Sequence, residues 1–378
     1  MQRLKLPVVF MRGGTSKGLF FHERALPAEP ETRDRFLLSA MGSPDPYGRQ
    51  LDGMGGGISS LSKIIIIRRS THPEADIDYL HGQVAVDRPV IDYSANCGNL
   101  SSAVGPFALE EGLISAGNEP EKLIRLHNLN TGKLIDARIP LRDGGFSPEG
   151  DFAMPGVAGS GNRIALEYLS PGKPGLNGLF PSGHAAETVE LPGGVSCTIS
   201  AAYASLPCVF VRAEEVGLRA TMPPDEIDAD RPAMALLEAI RREAGVRMGL
   251  ATTLDEVPLA SPKVGIVAAP ADYTALDGTA IQAGSIDLLI RMISMGRAHK
   301  AVPLTGAMCL AATCLAAGSV PRACSGGIGG PEVRVGTPSG VLTVGAVLGS
   351  ASDNPPVDRT IVYATARRLM DGQVHGSI

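Results

Sequence analysis

The sequence predicts an α+β fold of two similar halves, each a mainly antiparallel sheet curled around one helix of small residues. Three observations point to it. Short apolar runs such as Lys63-Ile-Ile-Ile-Ile67 alternate with glycine- and proline-rich turns. Two helical stretches carry mostly small side chains, one after Cys97 and one over 307–317. An internal repeat relates the halves at an offset of 209. On that offset Ile77-Asp78 falls on Ile286-Asp287, Arg88 on Arg297, Ala103 on Ala312, and Ile124-Arg125-Leu126 on Val333-Arg334-Val335.

Residues 7–12 form a strand that enters the loop Gly13-Gly-Thr-Ser-Lys-Gly18, and residues 19–21 resume the apolar pattern. The loop lacks the GxxxxGK[ST] spacing and a following helix, so a nucleotide P-loop does not fit. It reads either as a plain hairpin turn or as a cup of N–H groups, with Thr15 and Ser16, facing an anion. Residues 31–42 are helical. The glycine loop 52–57, ending in Gly56 and Gly57, leads to the buried isoleucine strand. Lys63 at the mouth of that strand is either a solvated strand end or a desolvated amine usable as a base. Residues 77–86 and 88–93 are strands.

The chain then turns at Asn96-Cys97-Gly98-Asn99 into a helix that runs from Leu100 to about Leu113, with Gly105-Pro106 as a kink. Cys97 falls at the helix N-terminus. Free N–H groups there favour a thiolate and would receive a carboxylate or enolate oxygen. By residue type alone, a small packed thiol fits the same place. Residues 123–126 and 134–139 form a hairpin, and 143–190 hold the connection to the second half. In the second half, position 306 is Gly306, preceded by Thr305. Only one half therefore presents a thiol at its helix start, which does not support a symmetric two-thiol racemase. Arg291, Ser294, His299 and Lys300 lie before the second helix and are candidate substrate contacts.

Composition excludes several classes. The net charge is −5 with no basic block, which argues against nucleic acid. No apolar run approaches the roughly 20 residues of a membrane span, and the N-terminus has no apolar signal core. A cytoplasmic location without disulfides is expected. The six cysteines form no CxxC pair and the histidines no HxxxH spacing, so no metal is expected. Cys197, Cys208, Cys314 and Cys324 are assigned to packing. A homodimer is expected on general grounds only.

The stretches Met11–Gly18, 52–57, Ser62-Lys63, 96–99, 294–300, 305–307 and 365–371 resemble the PrpF family over nearly the whole chain. Its members include 2-methylaconitate cis-trans isomerase, 3-methylitaconate delta-isomerase and 4-oxalomesaconate tautomerase. The resemblance implies the diaminopimelate epimerase fold, with the site in a cleft between two pseudo-symmetric halves. Residues 1–185 with 366–378 would form the first and 186–365 the second. Lys63 and Cys97 match the family's catalytic lysine and cysteine. Thr15, Ser16, Gly56, Gly57, Asn96, Gly98, Asn99, Leu100, Arg291, Ser294, His299, Lys300, Thr305 and Gly306 are the expected substrate-binding residues. The implied chemistry is a cofactor-free allylic proton shift or cis-trans exchange on an unsaturated polycarboxylic acid, whose carboxylates serve as the electron sink. The alternatives are the keto-enol tautomerase branch and, in another class, a non-catalytic polycarboxylate-binding or accessory protein.

Overall fold

The computed structural model describes residues 2–172, 175–176, 178–191, 193–350 and 352–378. The chain forms two compact units, one running up to Tyr168 and completed by Tyr363–Ile378, the other Leu169–Val362. Both boundaries lie earlier than the expected 185/186 and 365/366. The reason is local hydrogen bonding in the glycine-rich connection. The Ser170 N–H donates to the Asp358 carbonyl at 2.8 Å, and the Leu179 N–H to the Pro355 carbonyl at 2.9 Å. The Phe180 N–H donates to Asn354 Oδ1 at 2.8 Å.

The first unit contains β1 (Arg3–Gly13), β2 (Ser16–His22), β3 (Lys63–Arg69), β4 (Ile77–Val84), β5 (Ile91–Asp92), β6 (Glu121–Asn128) and β7 (Lys133–Arg142). Its neighbours run in the order final strand Ala366–Ser377, β1, β2, β3, β4, β6, β7. The pairings are antiparallel, antiparallel, parallel, antiparallel, parallel and antiparallel. Side chains alternate between the two faces. Leu19, Phe21, Ile64 and Ile66 pack with Phe36 and Leu37 of helix α1 (Pro30–Met41). The opposite face covers helix α2 (Gly98–Glu110): Phe20 lies 5.9 Å from Phe107, ring to ring. Phe20 pairs with Ile65, so Ile65 and Lys63 share the α2 face. Every residue from Leu100 to Ala108 is buried, so α2 is apolar all round because sheet surrounds it.

The second unit repeats this plan. Strand Glu187–Leu191 is followed by β8 (Val195–Ala204), β9 (Leu206–Arg212), β10 (Lys263–Ala268), β11 (Leu288–Ser294), β12 (Arg297–Ala298), β13 (Glu332–Thr337) and β14 (Gly340–Leu348). Strand Glu187–Leu191, β8, β9, β10, β11, β13 and β14 pair in the same series of senses. Helix α3 (Arg231–Arg247) covers one face, and helix α4 (Leu304–Leu315) is buried from Gly306 to Cys314.

The repeat is real in topology, but its offset is not constant. Arg125 and Arg334 correspond, at 209. The Asp76 N–H donates to the Arg125 carbonyl and the Asp287 N–H to the Arg334 carbonyl, at 2.8 and 2.7 Å. Each arginine's N–H returns a bond to that aspartate's carboxylate. Asp287 therefore corresponds to Asp76, not Asp78, at 211. The caps of the two small-residue helices are Cys97 and Pro303, at 206. Loops of unequal length shift the register between these points. Among the described residues no helix is long and apolar enough to cross a membrane.

Candidate active site

Cys97 is the N-cap of α2, but its side chain makes no capping bond. Its carbonyl accepts from the Ser101 N–H at 3.0 Å and from Ser101 Oγ at 2.9 Å. Among the described residues, the N–H groups of Gly98, Asn99 and Leu100 have no hydrogen-bond acceptor, as expected for the first turn of a helix. They are open to an anion beside the thiol. The β1–β2 turn docks on this helix start. The Thr15 N–H donates to Asn99 Oδ1 at 3.2 Å. A Cβ on Gly13 would lie 2.6 Å from the Asn99 carbonyl oxygen, so only glycine permits the approach. Thr15 is exposed and Ser16 buried beside them.

A buried polar cluster holds the loop before Cys97. Asn96 Oδ1 accepts from Tyr79 Oη at 3.1 Å, Ser101 Oγ at 3.2 Å and Asn128 Nδ2 at 3.3 Å. Its amide oxygen is thus spent inside the protein. The glycine loop is likewise self-contained. The Gly56 N–H donates to the Leu61 carbonyl at 3.2 Å, and the Gly57 N–H to Gln50 Oε1 at 3.0 Å. Gly56 and Gly57 are expected substrate-binding residues, and these two N–H groups already have acceptors within the protein. Arg12, with Nη1 on the carbonyls of Gly14 and Thr365, braces the turn.

Lys63 is buried, 8% exposed, and its Nζ donates to Gln83 Oε1. Gln83 cannot turn over, because its Nε2 donates to the Ser62 carbonyl at 2.9 Å and the Ser59 carbonyl at 3.2 Å. Among the described residues no carboxylate pairs with Lys63. A buried amine with only a neutral acceptor is the arrangement that proton transfer needs. His81 pairs with Ile65 one step along β4, on the same face. Burial pushes its pKa down to about 4, against 6.5 ordinarily. Such a group adds stability above the unfolded value and loses it as pH falls towards the folded one. The shift corresponds to about 3 kcal/mol lost between pH 6.5 and 4. Melting temperatures across that window should fall less in His81→Gln than in the wild type; parallel curves would refute this.

The second unit carries a lysine that sequence inspection missed. Lys263 heads β10 as Lys63 heads β3. β9 pairs with β10 in parallel, and β10 with β11 antiparallel, in the registers of β2, β3 and β4. Lys263 Nζ donates to Ser294 Oγ at 2.7 Å, and Ser294 occupies the place of Gln83. The apolar run Lys263-Val-Gly-Ile-Val267 was the available signal. Arg291, in contrast, is a correction. It points to the α3 face, 2% exposed, with Nε on the Met222 carbonyl at 2.8 Å and its guanidinium 5.2 Å from the Tyr273 ring. Strand parity puts it opposite Ser294. His299 is half-buried, its Nδ1 accepting from the Ala301 N–H at 3.0 Å, while Lys300 and Thr305 are exposed. Gly306 is buried because a Cβ there would lie 2.6 Å from Met292 Sδ. The residue at the cap itself is Pro303, so this helix start again lacks a thiol.

The family profile described as PrpF protein matches residues 3–377. The chain belongs to the PrpF family. It is 38% identical to the 2-methyl-aconitate isomerase of Cupriavidus necator, over 98% of this chain and 97% of that protein. It is 35% identical to the 4-oxalomesaconate tautomerase of Pseudomonas putida, over 99% and 97% respectively. The crystal structure of a methylitaconate-delta-isomerase superposes with a TM-score of 0.90 at 34% identity, covering 100% of this chain and 96% of that one. This family member is an isomerase. Its fold is that of the methylitaconate-delta-isomerase, the diaminopimelate epimerase-like class expected from the sequence.

Proposed function

We propose that this isomerase moves an allylic proton in an unsaturated di- or tricarboxylic acid, without a cofactor, using Lys63 and Cys97 as its proton carriers. The observation that carries the reading is the first unit's pairing of two features on one sheet–helix layer. One is a buried amine held only by a neutral amide; the other is a thiol at a helix start with free N–H groups. The relatives named for 2-methylaconitate, methylitaconate and 4-oxalomesaconate support the substrate class.

In the proposed reaction one carrier removes a proton from the carbon allylic to the double bond. The electron pair moves through the alkene into a carboxylate or keto group as a dienolate. The N–H groups of Gly98, Asn99 and Leu100 hold the developing oxyanion. The other carrier returns a proton two carbons away, giving a 1,3-shift, or at the original carbon after rotation, giving cis-trans exchange.

The test is proton NMR of the protein in heavy water with cis- and trans-aconitate, 2-methylaconitate, itaconates and 4-oxalomesaconate. Deuterium should enter an allylic position of at least one acid. Iodoacetamide labelling provides a second arm. Cys97 should react fastest, because burial pushes the thiols of Cys197, Cys314 and Cys324 up, and a hydrogen bond with Cys309, with burial second, does the same to Cys208, and a bound acid should slow it. No exchange together with no protection would overturn the proposal.

A further inference from the structure

We infer that His81 is a positioning residue for Lys63: its Nε2 lone pair is the acceptor to which the Lys63 ammonium turns an N–H when it carries the substrate's proton. His81 Nδ1 lies 2.9 Å from the Ala95 carbonyl oxygen. A carbonyl only accepts, so Nδ1 carries the proton and Nε2 of the neutral ring keeps a lone pair. Among the described residues that nitrogen has no hydrogen-bond partner, and its residue is only 3% exposed. An unpaired buried acceptor is costly and calls for an explanation.

The group able to satisfy it is close by. Lys63 pairs with Gln83 and Ile65 with His81, so Lys63 and His81 are diagonal neighbours on one face of an antiparallel pair. A long side chain spans that separation. The ammonium has three N–H groups, and Gln83 takes one. The backbone of His81 is fixed independently: Asn130 Oδ1 accepts its N–H at 2.9 Å, and Asn130 Nδ2 donates to its carbonyl at 2.8 Å. The charged groups around the ring are Lys63 on β3 and Asp92 on β5. Because burial keeps the ring neutral, it offers an acceptor without setting a second cation beside the lysine. Two neutral acceptors would thus hold the protonated amine while it carries the substrate's proton.

This role rests on the Lys63 chemistry proposed above, so the test has one arm independent of turnover. On the intact protein labelled with nitrogen-15 at histidine, NMR should show His81 with Nδ1 protonated and Nε2 bare, and the Nε2 signal should move in Lys63→Met. An Nε2-protonated tautomer, or an Nε2 signal unmoved by Lys63→Met, would overturn the inference even if every acid on the panel is turned over. The second arm is the pH profile of kcat/KM. His81→Leu should shift one limb of that profile down by about one pH unit, and His81→Gln, which keeps an acceptor, should restore it. An unmoved limb in a folded His81→Leu would also overturn it. If His81→Leu does not fold, the NMR arm decides alone.

Discussion

Replacing Lys63 with alanine should lower turnover of a methylaconitate- or methylitaconate-type acid by about 10³-fold, within the range that a positioned acid–base group contributes. The fold should survive. Among the described residues the lysine makes one hydrogen bond, to a neutral amide, and no ion pair, so its loss leaves no orphaned charge. Deuterium incorporation at the allylic carbon gives the rate, and thermal unfolding gives the control. Lys63→Arg separates charge from proton transfer. A guanidinium keeps the positive charge but does not deprotonate in proteins, so this variant should be nearly as inactive as alanine. If arginine restored turnover to within tenfold of the wild type, Lys63 would be a fixed cation for a carboxylate. Retention of turnover in both variants would remove it from the mechanism.

The two residues proposed as proton carriers could be singled out in the sequence because each sits at a junction that chemistry marks. Lys63 breaks an isoleucine strand at its mouth, and Cys97 breaks the strand–turn–helix joint that ends in small residues. The absence of a second thiol was legible too, although the matched residue is Pro303 at the cap rather than Gly306. What failed was register. A constant offset of 209 aligned Asp78 with Asp287, and only the bonds of Arg125 and Arg334 show that Asp76 is the counterpart. The same slippage hid Lys263, whose equivalence to Lys63 rests on three strand pairings rather than on spacing. Arg291 misled for a related reason. A charged residue shortly before the second small-residue helix suggests a ligand, yet the period of two sends it to the core face. There, three polar contacts and an aromatic ring absorb its charge. Gly56 and Gly57 show a further limit: residue type marks a glycine loop, but not whether its N–H groups are already spent.

Gly13→Ala should be the most damaging conservative substitution outside the proposed proton carriers. The added Cβ would meet the Asn99 carbonyl oxygen at 2.6 Å, the Leu100 Cα at 3.0 Å and the Ala103 Cβ at 3.1 Å. All three belong to α2, and two of these atoms are backbone, so no flexible side chain can move aside. Either the β1–β2 turn lifts or the helix start shifts. Overpacking of this kind costs about 1–3 kcal/mol. The effect on turnover should be larger than on stability. The displaced parts are the turn carrying Thr15 and the first turn of the helix beside Cys97, and a misplacement of about 1 Å can cost about 10²-fold in rate. Gly112→Ala is the matched control. Its φ is +66°, but a Cβ there meets nothing within 4 Å. It should lose about 1 kcal/mol to backbone strain and keep its turnover. Equal activity in the two variants would mean that contact between the turn and the helix start does not shape the site. A selective loss in Gly13→Ala, with Cys97 alkylation altered as well, would tie the glycine pair of the turn directly to the placement of the thiol.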